Sequence, residues 1–75
     1  MIRTVMGKTP ELAPGVFVAE NAIVAGDVRI GADSSVWYGA VIRGDTAPIT
    51  IGARSNIQDN VTLHCDAPLK IGDGV

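Results

Sequence analysis

The sequence predicts an all-β chain wound as a parallel β-helix, and three observations carry that expectation. Aliphatic residues recur at Val18, Val24, Ile30, Val36, Ile42, Ile51, Ile57, Leu63 and Ile71, a step of six broken only by one of nine and one of eight. Small residues follow four places behind most of them, at Ala22, Val28, Ser34, Ala40, Ser55, Val61 and Val75. No window shows convincing 3.6-residue periodicity, and Gly and Pro interrupt the chain too often for a long helix. That argues against a βαβ domain; a β-sandwich would not explain the fixed step of six.

A six-residue unit holds one short strand and one turn. Three units close a triangular coil, and coils stack as parallel strands about 4.8 Å apart. The aliphatic at the first position points inward, the small residue fits the corner, and the residue after the aliphatic points outward. Hydrophobic residues make up 47% of the chain but aromatics only 4%, so the core is expected in thin aliphatic layers. With 75 residues the chain allows one small domain. Residues 18–75 are expected to form about three coils. Residues 1–17 lie outside the repeat, with Pro10 and Pro14 breaking regularity, and are expected as an extended lead-in that covers the first coil.

The two irregular steps coincide with matching segments, Ala47-Pro48-Ile49-Thr50-Ile51-Gly52 and Ala67-Pro68-Leu69-Lys70-Ile71-Gly72, 20 residues apart. Both insertions should leave one corner of the triangle on successive coils and wall off a site. Stacking by coil gives three outward columns: Ala19, Trp37 and Gln58; Ala25, Arg43 and His64; Gly31, Gly52 and Gly72. The glycine column implies close backbone approach. Arg43 and His64 should be neighbours on adjacent rungs, with Asp45 pointing the same way and Gln58 on the adjoining face. Trp37 reads as a subunit-interface aromatic. Cys65, next to His64 on a strand, should face the opposite way as a buried, inert thiol.

Charge and composition narrow the function. The net charge is −2 with Lys and Arg scattered, which excludes an electrostatic footprint for nucleic acid or an anionic membrane. No stretch reaches the ~18 apolar residues of a membrane span, and the N-terminus lacks the apolar segment of a secretory signal. A single cysteine cannot form an internal disulfide, so a reducing, cytoplasmic setting is expected.

Arg43-Gly44-Asp45, then Asn56-Ile57-Gln58-Asp59, then Leu63-His64, set in six-residue repeats from about Val16 onward, resemble the γ-class carbonic anhydrase family. The resemblance implies left-handed winding, as in other hexapeptide-repeat proteins. It also implies a homotrimer whose metal, usually zinc and in some members iron or cobalt, is held between subunits by three histidines. By position His64 corresponds to the first metal ligand, Gln58 to the partner of the metal-bound hydroxide, and Arg43 and Asp45 to an ion pair at the subunit boundary. Asn56 and Asp59 match the same motif as structural support. The implied reaction is reversible hydration of carbon dioxide to bicarbonate.

The departures are specific. His64 is the sole histidine, so two of the three family ligands are absent from these residues. The family's C-terminal helix is absent too, and the chain is expected to be truncated at its C-terminal end with an open stack. Where some members place a proton-transferring glutamate after the aspartate, this chain has Thr46. Two other readings share the coil: a hexapeptide acyltransferase, and a non-catalytic trimeric scaffold with a vestigial site.

Overall fold

The computed structural model describes all 75 residues, as nine strands and no helix. The strands are β1 (Ile2–Arg3), β2 (Glu11–Leu12), β3 (Phe17–Val18), β4 (Ile23–Ile30), β5 (Ser35–Val36), β6 (Val41–Ile51), β7 (Asn56–Ile57), β8 (Thr62–His64) and β9 (Leu69–Ile71). Every strand pairing is parallel. Parallel pairing with no helical crossover, repeated along the chain, is the β-helix that the six-residue step predicts. With no helix, there is none long and apolar enough to cross a membrane.

The register reproduces the repeat. Ile2, Val24, Ile42 and Leu63 stack on one face. Leu12, Ile30, Ile51 and Ile71 stack on the second. Val18, Val36 and Ile57 form the third. Two faces therefore carry four rungs, one more than the repeat counted from Val18 gives. The extra rung comes from residues 1–17, where β1 and β2 pair with β4. Seven residues separate Arg3 from Glu11 while three separate their partners, Ala25 and Arg29, so the spacing within this rung hides the step.

Val24, Ile42, Ile49, Ile51, Val28 and Val36 are fully buried, with Ala22 and Ala40 beside them. At one corner the small residue is a serine, whose hydroxyl meets the backbone of the next coil. Ser34 Oγ donates to the Gly52 carbonyl at 2.8 Å and accepts from the Ser55 amide at 3.0 Å. Ser55 Oγ repeats the pattern, donating to the Gly72 carbonyl at 2.6 Å and accepting from the Val75 amide at 3.2 Å. A buried hydroxyl is tolerated because both its functions are satisfied. The glycine column behaves as expected at Gly31 and Gly52, where a Cβ would lie 2.6 Å from the Ala53 amide and 2.7 Å from the Gly72 backbone. Gly72 has nothing within 4 Å of that position.

Insertions accumulate at the corner between the first two faces. In β4 and β6 the register slips after Gly26–Gly44, and Val28 next pairs with Ile49, so Asp45–Pro48 stand against Asp27 alone. The next coil repeats the insertion before β9, which pairs Leu69 with Ile49. The two interruptions are thus stacked, as their shared pattern implies. A third insertion was not visible in the repeat: residues 4–10 fold into a tight hairpin in which Val5 and Lys8 exchange two backbone hydrogen bonds of 2.9 Å.

Candidate functional site

The site begins with the register of β6 and β8. Pairing of Ile42 with Leu63 directs those two side chains inward, and alternation turns the next residues, Arg43 and His64, outward on adjacent rungs. Asp45, two residues beyond Arg43 on β6, falls on the same side. Arg43 Nη2 donates to Asp45 Oδ2 at 3.0 Å. His64 Nε2 lies 3.4 Å from the other carboxylate oxygen, Oδ1, which is buried and has no hydrogen-bond partner. One carboxylate therefore stands between a guanidinium and an imidazole.

The Arg43 hydrogen bond holds the Asp45 carboxyl below its ordinary value of 3.8, partly offset by desolvation, with the Arg43 charge and His64 adding to the lowering. Because the folded state favours the ionised form, this pair stabilises the fold above the unfolded pKa. That contribution fades as pH falls through the lowered folded value. Thermal melts from about pH 5 to about pH 2 should therefore lose a component in the unaltered chain that is missing from Asp45→Asn. Superimposable pH profiles for the two chains would refute the coupling.

A crevice of about 180 Å³ opens at this corner, with Asp45 the one member of the trio that lines it. The hairpin contributes Val5, Met6 and Lys8; Asp27, Asp45 and Thr46 line it with the Gly44 and Pro48 region. One of the two stacked insertions, at Asp45–Pro48, walls this crevice together with the N-terminal hairpin; the second, before β9, does not line it.

Gln58 is exposed and lies just past β7, in the separate three-stranded sheet. No hydrogen bond or ion pair links it to Arg43, Asp45 or His64. Asn56 instead accepts from Ser35 Oγ at 2.5 Å, and Ser35 in turn accepts from Trp37 Nε1 at 2.8 Å. This chain orients the half-buried Trp37, which packs against Phe17 with ring centroids 5.0 Å apart. Cys65 is half-buried against the core, on the side away from His64. Ala19, placed in an outward column by the repeat, is buried.

No three His, Cys, Asp or Glu side chains gather where they could hold a metal. The donor set does fit one ligand position, an imidazole with a carboxylate beside it, and a complete site would need ligands from outside these 75 residues.

A family profile described as bacterial transferase hexapeptide (six repeats) matches residues 9–44. "Gamma carbonic anhydrase 3, mitochondrial" of Arabidopsis thaliana is 45% identical over 82 residues, covering 99% of this chain and 32% of that protein. A carbonic anhydrase of Geobacillus kaustophilus is 51% identical over 77 residues, covering 100% of this chain and 42% of that protein. Along its whole length the chain is similar to the N-terminal part of γ-class carbonic anhydrases, with the hexapeptide repeat in common. It spans less than half the length of these two relatives. Among solved structures, a putative acetyltransferase of Bacillus cereus superposes with a TM-score of 0.90 at 41% identity, covering 95% of this chain and 42% of that one. The carbonic anhydrase-like family thus shares its coil with proteins described as transferases, and the fold by itself does not separate the two activities.

Proposed function

We propose that this chain supplies one edge of a γ-carbonic anhydrase-type site that reversibly hydrates carbon dioxide in a homotrimer. The observation that supports this reading best is the convergence of Arg43, Asp45 and His64 on stacked rungs, in a chain 51% identical to a carbonic anhydrase. His64 is the metal ligand from this chain, and the other imidazoles come from outside these residues. A bound zinc ion, for which iron or cobalt can substitute, would supply Lewis acidity that lowers the pKa of water to about 7. Arg43 holds the Asp45 carboxylate, which keeps a negative charge beside the imidazole. Gln58, exposed on the adjoining face, would orient the nucleophilic oxygen by hydrogen bonding from a second subunit or a rearranged side chain. The half-buried Cys65 suits a reducing compartment such as the cytoplasm.

The acetyltransferase neighbour favours a second reading, acyl transfer. Such chemistry in this superfamily uses a histidine on a protruding loop, whereas His64 ends β8. A trimeric scaffold with a vestigial site is the third. Zinc content and isotope exchange between carbon dioxide and water, run beside acyl-CoA calorimetry on a trimer that includes the residues supplying the other imidazoles, separate them. Stoichiometric zinc with exchange above the buffer rate is the expected result. Acyl-CoA binding without zinc would replace the proposal with the second reading, and neither signal would leave the scaffold.

A further inference from the structure

We propose that the crevice between the N-terminal hairpin and the Asp45–Pro48 insertion binds a small zwitterion, such as a free α-amino acid with a short side chain. Asp27 takes its ammonium and Lys8 its carboxylate. The crevice arises from unequal crossings at one corner of the coil. Seven residues pass from Arg3 to Glu11, six from Arg43 to Thr50 and five from His64 to Lys70, but only three from Ala25 to Arg29. The short crossing leaves a slot between the loops of the rungs on either side, which stand two rung spacings, about 10 Å, apart. Asp27, on that short crossing, lines the slot. Gly26 and Gly44, paired beside it, have no side chains to fill it.

Lys8 and Asp27 are the free charges of this crevice. The Asp45 carboxylate is already engaged, Oδ2 by Arg43 and Oδ1 facing His64. Neither Lys8 nor Asp27 joins any of the chain's ion pairs, although both line the same space. Opposite charges that share a crevice without touching suit a ligand that carries one of each and reaches both. A lone anion would face the Asp27 carboxylate and a lone cation the Lys8 ammonium, so either would gain one contact and suffer one repulsion. Thr46 lines the same space and offers a hydroxyl to a carboxylate. Val5, Ala47 and Pro48 give an apolar wall for a short side chain. A volume of about 180 Å³ lies below the ~300–1,000 Å³ of drug-sized ligand sites, which limits the occupant to the smaller amino acids. Lys8 and Asp27 stand outside the Arg43–Asp45–His64 trio, so binding here is independent of the metal chemistry proposed above.

The test is a titration of the isotope-labelled chain, followed by two-dimensional amide NMR at neutral pH. L-Alanine is then a zwitterion, ethylamine a cation and propionate an anion of similar size. L-Alanine should give saturable shifts at the Lys8, Asp27 and Thr46 amides. Ethylamine and propionate should each bind at least about 10-fold more weakly, having lost one charge-assisted contact. Lys8→Gln and Asp27→Asn should each weaken L-alanine by a similar factor. Lys8 is exposed and Asp27 half-buried, so the rest of the spectrum should stay in place and report an intact fold. The exchanged pair, Lys8→Asp with Asp27→Lys, should regain binding with the ligand reversed. No saturable shift with L-alanine would overturn the proposal, as would equal affinity for ethylamine or propionate, or unchanged affinity in either single variant. An exchanged pair that binds no better than the single variants would count against a site built on two charges.

Discussion

Ile42→Ala should be the most destabilising single change in the chain, costing about 2–5 kcal/mol. Ile42 is 0% exposed, sits on β6 between Val24 and Leu63 in the inward stack, and belongs to the central core cluster. The thin aliphatic layers of a β-helix offer little material to collapse into the space left by the lost side-chain atoms, so most of the cavity penalty remains. At roughly 0.05–0.15 kcal/mol per residue a domain of this size is stable by about 4–11 kcal/mol, so the substitution removes a large share of the total. Urea unfolding followed by circular dichroism reads the loss directly. Phe17→Ala, at a position 44% exposed, serves as the comparison and should cost much less. A loss below about 1 kcal/mol for Ile42→Ala would mean that the core is not stacked as described.

Gly44→Ala should be nearly as damaging to the fold and should also disturb the site. A Cβ on Gly44 would lie 2.4 Å from the Asp27 carbonyl oxygen and 2.7 Å from its carbon. Both atoms are backbone, so no side chain can swing aside, and β4 and β6 must separate where their register slips. The expected cost is about 1–3 kcal/mol, toward the upper end because the obstacle is rigid. Arg43 and Asp45 flank the glycine, so their ion pair and the contact with His64 should loosen with it. Gly72→Ala is the control: nothing lies within 4 Å of its added carbon. It should fall within about 0.5 kcal/mol of the unaltered chain, as typical surface changes do. Equal stability of the two variants would refute the close approach at Gly44.

The legibility of the fold has a simple cause. Each rung of a β-helix contacts only the rungs beside it, so the inward positions recur at a fixed distance along the chain. Val18, Val36 and Ile57 can be placed above one another by counting, as can Arg43 and His64. Counting back from Val18 reaches Leu12, six residues earlier, but stops there, because the insertion between Arg3 and Glu11 sets Ile2 ten residues before Leu12 instead of six. The signals that could have found that rung are the in-step Leu12 and the aliphatic Ile2, with Met6-Gly7 between them in a turn where both residues have positive φ. The repeat also could not show that Ala19 is covered while Gln58 remains exposed, because alternation sets direction and neighbouring side chains set burial.

The sequence alone determined the parallel coil, the inward aliphatic stacks, the stacked corner insertions and the adjacency of Arg43 and His64. These follow from two short-range rules, strand alternation and a constant repeat length. Tertiary structure decided the fourth rung, the crevice closed by the N-terminal hairpin and the distinct surroundings of the two Asp45 oxygens. It also left Gln58 apart from the trio. Those features depend on how far each insertion leans from its corner and on what packs against it, and neither quantity is periodic.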